Sequence, residues 1–464
     1  MRAVAAGTHE TLLDELAAAL PDGALLTDRD VVASYRQDWA KDPDAGWPVA
    51  VVRATCTADV QAAVRWAASH RVPVVPRGAG SGLSGGSSAV DGGLVISVER
   101  MRDIHIDPAS KVAVTQPGLL NIEVKRAAAE HGLFYPPDPS SYEICSIGGN
   151  AATNAGGLCC VKYGVTTDYV LGMEVVLADG TAVRLGGPRV KDVAGLSLTK
   201  LFVGSEGTLG VITEVTLRLL PAPPPACTLV ATFGSVEASA EAVVAISARL
   251  RPSMLELMDN GSINAVEDLV RMGLDRSAGA LLLARSDAPG GAAPIEIEQM
   301  AATCREHGAS EVFTTADAEE GEAFAAARRA AFPAMERLGS LLLEDVGVPV
   351  PKLPALVHGI REIAANRQTH IVVVAHAGDG NTHPIIAYPP DDPAAEARAR
   401  LAFGEVMELA IALGGTITGE HGVGRLKAPW LADQLGPEVM TLTRRIKDAL
   451  DPDGILNPGV VLGK

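Results

Sequence analysis

The sequence lacks paired cysteine motifs and long hydrophobic runs. Its six cysteines show no C-x-x-C spacing, which excludes a zinc ribbon or an iron–sulfur cluster built on that motif, and we expect reduced, mostly buried thiols. No segment approaches the roughly 20 continuous apolar residues of a membrane helix. The N-terminal stretch, residues 1–23, carries early acidic residues and no apolar core, so it is not predicted to be a secretory signal. We expect a cytoplasmic protein without a membrane span.

The chain also lacks an excess of positive charge. Its 39 lysines and arginines face 56 aspartates and glutamates, and the net charge of −17 argues against nucleic acid or an anionic lipid surface as a partner. A local basic pocket is still compatible with this total. The chain does have length, 464 residues, and 47% hydrophobic residues, which supply enough apolar surface for more than one folded domain.

Strand and helix patterns are mixed along the chain and indicate an α+β fold. After an amphipathic helix at residues 10–20, the pattern at 48–78 predicts a strand, a helix that opens at Thr57, and a second strand that ends in glycines. Short strands and glycine turns follow up to residue 220. Beyond residue 226, strands and long Ala/Glu-rich helices predict an antiparallel sheet backed by helices.

Four prolines within residues 221–225 mark the clearest domain boundary, because such a run fits neither a helix nor a central strand. We predict a first domain at residues 1–222, with its core at about 46–222, and a second domain at 223–413. The C-terminal segment, 414–464, combines a glycine-rich loop, a helix and a closing turn, and we expect it to return to the first domain.

Three glycine-rich segments lie in the first domain, at residues 76–86, 146–157 and 204–213. Glycines at such density let several backbone N–H groups converge on a phosphate, and the interspersed Ser, Thr and Asn can add hydrogen bonds. Plain hairpin turns are the alternative for any one of these loops. Three loops together favour an extended cofactor such as a dinucleotide. The first loop is not of the G-x-G-x-x-G nicotinamide type.

A second group of residues combines imidazoles with a carboxylate. His376 and His383 flank a turn between two apolar strands, so a hairpin would bring the two rings together. Glu420 and His421 follow in another glycine-rich loop. Two neutral imidazoles and one carboxylate suit zinc or manganese. Hydrogen-bonded histidines in a hairpin, without a metal, are the alternative.

Several ordered motifs carry a family resemblance. The segments PRGAGSGLSGG, PPDPSSYEICSIGGNAATNAGG, YGVTTDYVLGMEVVLADG and LFVGSEGTLGVITEVTLRLLP resemble those of the vanillyl-alcohol-oxidase-type flavoproteins. Within them, HAGDGNTHP, GGTITGEHGVGRLK and DPDGILNPG are similar to the FAD-linked D-2-hydroxyacid dehydrogenases, including D-lactate dehydrogenase and the glycolate oxidase flavin subunit. The resemblance implies a two-part FAD-binding domain of the PCMH type, together with a cap domain that holds the helix-backed sheet.

The resemblance also implies which residues bind FAD. The predicted set lies in the three glycine segments, in the PPDPS run and in the closing turn. FAD is expected to be non-covalent, because the loop around Ser81 offers no histidine for a bond to the flavin. The set comprises Pro76, Arg77, Gly78, Ala79, Gly80, Ser81, Gly82, Ser84, Pro137, Asp138, Pro139, Ser140, Ser146, Gly148, Gly149, Asn150, Thr153, Asn154, Gly156, Gly157, Glu206, Gly210, Val211, Ile212 and Asn457.

For the chemistry, the resemblance implies a divalent metal on His376, His383 and Glu420, with His421 as the general base. Arg328 matches the arginine that holds the substrate carboxylate, and its planar fork suits bidentate recognition. Its neighbour Arg329 is expected to face solvent. The implied reaction is oxidation of a D-2-hydroxyacid to the 2-oxoacid, with hydride transfer to flavin N5.

The sequence departs from the D-2-hydroxyglutarate dehydrogenases of this branch at two positions. Where they carry a lysine and an asparagine, this chain has Leu343 and Ile385. Burying a second carboxylate against these side chains would cost desolvation without compensation, so the pocket is expected to prefer lactate or glycolate. D-2-hydroxyglutarate or a longer hydroxyacid is the alternative substrate.

Two other functions stay open at this point. One is a flavin-carrying electron-transfer subunit of a larger complex, and the other is an oxidase or reductase of the same fold with a different substrate. The electron acceptor is not identified by the sequence; an electron-transfer flavoprotein, a cytochrome, a quinone or an iron–sulfur subunit are the alternatives. The oligomeric state is equally open, with a homodimer as one alternative.

Overall fold

A computed structural model describes residues 6–463 of the chain. Residues 1–5, which open both the predicted first domain and the stretch predicted not to be a secretory signal, lie outside the described residues, as does residue 464. The architecture mixes helices with antiparallel and partly parallel sheets, so the predicted α+β class is confirmed.

The first sheet has four strands, in the order β1-β2-β4-β3, and β2, β4 and β3 run parallel. Its inner strands are almost wholly buried, because helix α3 covers them with Val60, Val64 and Trp66. The strand–helix–strand unit predicted at residues 48–78 is present here. The strands are β1 (Leu25–Leu26), β2 (Ala50–Arg53), β3 (Val74–Arg77) and β4 (Leu94–Ser97).

The second sheet has five antiparallel strands in the order β5-β6-β10-β8-β9, and a two-stranded ribbon, β7 with β11, lies beside it. The first proline of the run, Pro221, ends β11, and residues 222–226 form no helix or strand before β12 begins at Cys227. The strands are β5 (Ile104–Asp107), β6 (Val112–Thr115), β7 (Leu133–Phe134), β8 (Val170–Val176), β9 (Ala182–Gly186), β10 (Val211–Arg218) and β11 (Leu220–Pro221).

The third sheet is antiparallel throughout and has eight strands. Helices α8, α10, α13 and α14 pack on one face, and α9, α11 and α12 pack on the other. Helices therefore cover both faces of the predicted helix-backed sheet. Its strands are β12 (Cys227–Phe233), β13 (Met254–Asp259), β14 (Ala280–Ser286), β15 (Ala309–Thr315), β16 (Ser340–Leu343), β17 (Val346–Gly347), β18 (His370–His376) and β19 (Asn381–Tyr388).

Fifteen α-helices connect these strands within residues 6–463. None of them is both long and apolar enough to cross a membrane. They are α1 (Ala6–Ala18), α2 (Arg29–Ala33), α3 (Thr57–His70), α4 (Asn121–Ala129), α5 (Ile147–Thr153), α6 (Cys160–Tyr163), α7 (Leu198–Phe202), α8 (Val236–Ser247), α9 (Asn260–Val270), α10 (Ala292–Glu306), α11 (Ala318–Arg329), α12 (Ala331–Glu336), α13 (Leu353–Arg367), α14 (Pro393–Ala412) and α15 (Ala428–Leu450).

The alternation of side chains along β13, β18 and β19 positions the site. Successive residues of a strand point to opposite faces of the sheet. Val373 and Ala375 of β18 join the core under α8 and α13, whereas Val372 and Val374 pack on the opposite face. His376 follows Val374 by two residues, so it shares that opposite face.

The C-terminal segment returns to the first sheet. After α15, which is kinked at Gly436, the backbone N–H of Val74 in β3 donates to the carbonyl oxygen of Ile455. The backbone N–H of Asn457 donates in turn to the carbonyl oxygen of Val74. The last residues of the chain are therefore hydrogen-bonded beside the strand that leads into the first glycine loop.

Candidate active site

One cavity of about 410 Å³ lies where the glycine loops meet the third sheet. Residues from all three glycine segments, from α11 and α12, and from β16, β18 and β19 line it together. Most residues of the predicted sites are among them: Pro76, Arg77, Gly78, Ala79, Gly80, Ser81, Gly82, Ser84, Pro139, Ser140, Ser146, Gly148, Gly149, Asn150, Thr153, Gly156, Glu206, Gly210, Val211, Ile212, Arg328, His383, Glu420 and His421.

Close backbone packing explains why the loops need glycine. A Cβ atom on Gly78 would lie 2.4 Å from Oγ of Ser146, and one on Gly424 would lie 1.8 Å from the carbonyl oxygen of Ser84. Ser146 caps α5 by accepting a hydrogen bond from the N–H of Gly149, and it also accepts one from the N–H of Ala79. The first two glycine segments and the C-terminal segment are thus packed against one another around the cavity.

A buried guanidinium lies beneath the first loop. Arg77 is 9% exposed and donates to the carbonyl oxygens of Gln37 and Ser87. Burial lowers the pKa of Arg77, and the nearby carboxylate of Asp38 partly offsets this. A fixed positive charge beneath backbone loops without side chains is suited to an anionic diphosphate, so these residues fit the diphosphate of FAD.

Glu206 and Asn457 join the C-terminal segment to the loops. The carboxylate of Glu206 accepts hydrogen bonds from the N–H groups of Val423 (2.7 Å) and Gly424 (2.8 Å). The side-chain amide of Asn457 donates to the carbonyl oxygens of Glu206 and Gly86. Burial raises the pKa of Glu206 to about 7, against the effect of the two N–H donors.

Six predicted site residues do not line the cavity: Pro137, Asp138, Asn154, Gly157, Asn457 and His376. Asp138 is buried and accepts a hydrogen bond from the N–H of Cys159, and Asn154 accepts one from the N–H of Thr167. The carbonyl oxygen of Pro137 accepts from Asn121, and Gly157 packs against Asp138. These contacts lie outside the cavity and hold the loops in place.

The predicted histidine and carboxylate cluster is assembled. The four-residue turn between β18 and β19 places the rings of His376 and His383 5.0 Å apart. Oε1 of Glu420 lies 3.1 Å from Nε2 of His376 and 3.2 Å from Nε2 of His383. One ligand atom from each of the three lies within 4.8 Å of the others, and all three residues are buried.

The hydrogen bonding of this cluster fits a cation. Nδ1 of His376 lies 2.9 Å from both carboxylate oxygens of Glu256, which identifies Nδ1 as the protonated nitrogen and directs the Nε2 lone pair at Glu420. Two acceptors 3.1 Å apart require a further proton or a cation between them. Burial lowers the pKa of His376, but the carboxylates of Glu256 and Glu420 raise it by more, well above its usual range. The donor set of two imidazoles and a carboxylate suits a divalent metal.

His421 lies beside this cluster, with its ring stacked 5.0 Å from that of His383. Its Nε2 is 3.8 Å from Oε1 of Glu420, and its Nδ1 is 3.9 Å from Oδ2 of Asp345 and makes no hydrogen bond with the described residues. Burial lowers the pKa of His421 to about 4, although Asp345 acts in the opposite direction. The imidazole is therefore neutral near pH 7 and able to accept a proton.

Arg328 and Arg329 end helix α11, whose acidic first turn and basic last turn suit the helix dipole. Arg328 is 4% exposed, and its Nη2 lies 3.0 Å from Oε2 of Glu256. The angles of this ion pair are not those of a hydrogen bond, and Nε has no hydrogen-bond partner among residues 6–463. Arg328 is also one of the residues that line the cavity, so a buried positive charge lies beside the space for a ligand.

The prediction that Arg329 faces solvent is wrong. Its side chain is 19% exposed, lines the same cavity as Arg328 and forms an ion pair with Glu322. The guanidinium also lies 5.6 Å from the ring centre of Tyr142. A solvated face is the usual place for one of two adjacent helical arginines, but here the first domain covers the end of α11.

Comparison with known families identifies the domains around this cavity. Residues 48–186 match the profile of an FAD binding domain, and residues 222–461 match that of the C-terminal domain of FAD linked oxidases. The chain belongs to the FAD-linked oxidases. It is an FAD-linked oxidoreductase, and the predicted domain boundaries at residues 222 and 413 stay predictions.

Relatives of this FAD-linked oxidase align over most of its length. It is 43% identical over 420 residues to the glycolate oxidase subunit GlcD of Bacillus subtilis, which covers 90% of this chain and 89% of the relative. It is 34% identical to the D-lactate dehydrogenase of Archaeoglobus fulgidus, over 91% of this chain and 93% of the relative. The structure of p-cresol methylhydroxylase with substrate bound has the same fold, with a TM-score of 0.84, 19% identity and coverage of 99% and 98%. The predicted family resemblance is confirmed.

Two buried carboxylates of this FAD-linked oxidase escape prediction from the sequence. Glu256 lies in the middle of β13, and Asp345 is the second residue after β16. Asp345 accepts hydrogen bonds from the N–H groups of Glu420 and His421, and it is fully buried. The available signal was an acidic residue inside an apolar strand sequence, since such residues are seldom buried without a partner.

Leu343 and Ile385 face each other across β16 and β19 of the FAD-linked oxidase. Both line the cavity, two residues from Asp345 and His383 respectively. The wall next to the histidine cluster is therefore apolar at the two positions where a lysine and an asparagine are expected for a dicarboxylate substrate.

Proposed function

We propose that this FAD-linked oxidase oxidises a small D-2-hydroxyacid, D-lactate or glycolate, to the corresponding 2-oxoacid. The observation that carries the proposal is that the side chains of Arg328 and His421, a buried guanidinium and an imidazole, line the same cavity. The first group recognises a carboxylate and the second accepts a hydroxyl proton. The names of the two relatives, glycolate oxidase subunit and D-lactate dehydrogenase, support the same substrate class.

Arg328 would bind the substrate carboxylate. Its Nε and Nη2 make no hydrogen bond with residues 6–463, and its side chain is held at the end of α11 by the ion pair with Glu256. A carboxylate placed here satisfies a buried donor, which stabilises the complex more than an exposed ion pair could.

Leu343 and Ile385 would exclude a larger acid. They form an apolar cross-strand pair on the cavity wall and offer no donor for a second carboxylate. An unpaired carboxylate buried against them is strongly unfavourable. A methyl group on C2, as in lactate, or a hydrogen there, as in glycolate, meets no such penalty, which favours these acids over D-2-hydroxyglutarate.

We propose that His376, His383 and Glu420 hold a divalent metal, zinc or manganese. A metal in this position supplies Lewis-acid activation of the substrate hydroxyl. Glu256 fixes the tautomer of His376, so that Nε2 faces the proposed ion. His421, which lines the same cavity, would accept the hydroxyl proton.

FAD would be held without a covalent bond by the loops around Arg77, Ser146 and Glu206, since the segment at 76–86 contains no histidine. FAD supplies the acceptor for the two electrons and the hydrogen that leave C2 of the substrate. The identity of the final electron acceptor is not part of the proposal.

The test is an anaerobic visible spectrum of the FAD-loaded protein before and after D-lactate, glycolate, L-lactate and D-2-hydroxyglutarate. We expect bleaching of the flavin band by D-lactate or glycolate. The His421→Asn variant should retain FAD, but the rate at which the substrate reduces the flavin should fall by about 10²- to 10⁴-fold. His358→Asn, at an exposed histidine of α13, is the matched control and should behave as wild type.

Two results would contradict the proposal. A flavin band that no hydroxyacid bleaches would remove the substrate class. A His421→Asn variant reduced at the wild-type rate would remove the proposed base while leaving the substrate class in place.

A further inference from the structure

Glu256 joins the two halves of the proposed substrate site. It lies in the middle of β13, is 1% exposed, and its two carboxylate oxygens are shared between Arg328 and His376. Oε2 lies 3.0 Å from Nη2 of Arg328, and both oxygens lie 2.9 Å from Nδ1 of His376. No other carboxylate among the described residues pairs with either partner in this way, apart from Glu420 on the far side of His376.

We propose that Glu256 is a positioning residue that couples the recognition of the substrate carboxylate to the metal site. This inference rests on the proposed function. Through Arg328, Glu256 orients the guanidinium that would receive the substrate carboxylate. Through His376, it holds the proton on Nδ1 and presents Nε2 towards the cluster.

The position of Glu256 supports this role. Strands β13 and β18 are paired, with Leu257 opposite Ala375, so Glu256 and His376 are close neighbours on the same face of the sheet. Arg328 reaches that face from the end of α11. A carboxylate is the one neutralising partner that can accept from an imidazole N–H and a guanidinium at once. A buried Arg328 and a metal-binding His376 both require such a partner.

The variant Glu256→Gln isolates the role. Glutamine keeps the volume but has a single acceptor oxygen and an NH₂ group, so it cannot serve both His376 and Arg328. We expect the affinity for zinc or manganese, measured by competition with a chromogenic chelator, to fall about 10- to 100-fold. We expect KM for D-lactate to rise by at least tenfold in the metal-loaded protein, with the FAD content unchanged.

A control variant on the same strand separates this role from folding. The carboxylate of Asp259 is partly buried at the end of β13 and accepts hydrogen bonds from the N–H groups of Val373 and Ser262, but it pairs with neither Arg328 nor His376. Asp259→Asn makes the same chemical change and should leave metal affinity and KM within about twofold of wild type. Glu256→Asp, which keeps the charge on a shorter side chain, should recover part of both losses.

A double-mutant cycle gives a measurement that a merely structural role would not affect. If Glu256 acts on KM through Arg328, then Glu256→Gln should add little to the KM of Arg328→Met, because the shared interaction is already lost. Metal affinity should respond to Glu256→Gln but not to Arg328→Met. Should Glu256→Gln fail to fold, Glu256→Asp takes its place in the same cycle.

The outcomes keep this inference distinct from the proposed function. Wild-type protein that binds no zinc or manganese and is not reduced by any hydroxyacid would overturn the proposed function and this inference with it. Wild type that does both, alongside a folded Glu256→Gln variant with unchanged metal affinity and KM, would overturn the positioning role alone. Additive effects of Glu256→Gln and Arg328→Met on KM would also overturn it.

Discussion

At the scale of single residues, we expect the choice of substrate to depend on two side chains of the cavity wall. Leu343 and Ile385 oppose each other on β16 and β19, next to the histidine cluster. In the resemblance drawn from the sequence, a lysine and an asparagine at these positions accompany a dicarboxylate substrate. The size and charge of the accepted acid should therefore follow from this one cross-strand pair.

The double variant Leu343→Lys, Ile385→Asn tests this. Because the new ammonium and amide groups can pair with a second carboxylate, we expect the ratio of kcat/KM for D-2-hydroxyglutarate to that for D-lactate to rise by about tenfold or more. The control is Leu341→Lys, Ala387→Asn, at the next cross-strand pair that faces the same way but does not line the cavity. An unchanged ratio in the first variant would show that other residues set the specificity.

At the scale of elements, one carboxylate binds the backbone of the loop that carries Glu420 and His421. Asp345 accepts hydrogen bonds from the N–H groups of Gly419, Glu420 and His421. Burial raises the pKa of Asp345, but the positive charge of Lys427 and the N–H donors, including that of His421, lower it by more, so it stays ionised. The conformation of the loop thus depends on an ionised side chain of the third sheet.

Asp345→Asn should therefore loosen the loop. It removes the charge that these donors and Lys427 share, and we expect a loss of about 2–4 kcal/mol in the free energy of unfolding, measured with urea. Flavin reduction by D-lactate should slow as well, because Glu420 and His421 lose their support. Asp392→Asn makes the same change at the partly exposed cap of α14, where asparagine caps nearly as well, and should cost under about 0.5 kcal/mol. Equal effects of the two variants would contradict this account.

The local patterns of the sequence predict most of these elements but not all of the site. The hairpin that joins His376 to His383 follows from alternation and a glycine turn, which are local features. Glu256 is 120 residues away from His376, and their contact depends on the pairing of β13 with β18, which no local pattern specifies. Arg329 was misplaced for a similar reason, since a helical pattern does not reveal which domain covers the end of α11.

For the whole molecule, the proposed metal would connect parts of the chain that are far apart in sequence. His376 and His383 belong to the third sheet, whereas Glu420 belongs to the segment that runs back to the first sheet. Bound metal should therefore stabilise the docking of that segment as well as the substrate.

Removal of the metal should lower the melting temperature while FAD stays bound. A ligand present at 100 times its Kd stabilises a protein by about 2.7 kcal/mol, so we expect a chelator to lower Tm by roughly 3–6 °C. Added zinc or manganese should restore it, as followed by calorimetry with the flavin spectrum recorded in parallel. A His376→Ala variant should not respond to the chelator. A wild-type Tm that is equally insensitive would contradict a structural contribution of the metal.

The junction at Glu206 makes stability depend on pH. Its pKa is about 7 in the folded chain, raised by burial from an ordinary value of 4.5. The unfolded chain therefore loses this proton first as pH rises, so the contribution of Glu206 to stability is full below pH 4.5 and declines up to pH 7. The loss corresponds to about 3 kcal/mol. Glu206→Gln cannot ionise, but its NH₂ group replaces one of the two acceptor oxygens, so it should be less stable than wild type near pH 5 and lose up to about 3 kcal/mol of this disadvantage near pH 8. Urea unfolding of wild type and Glu206→Gln, both without FAD, measures this at pH 5 and pH 8. If the difference in the free energy of unfolding between the two proteins is the same at both pH values, the raised pKa is contradicted.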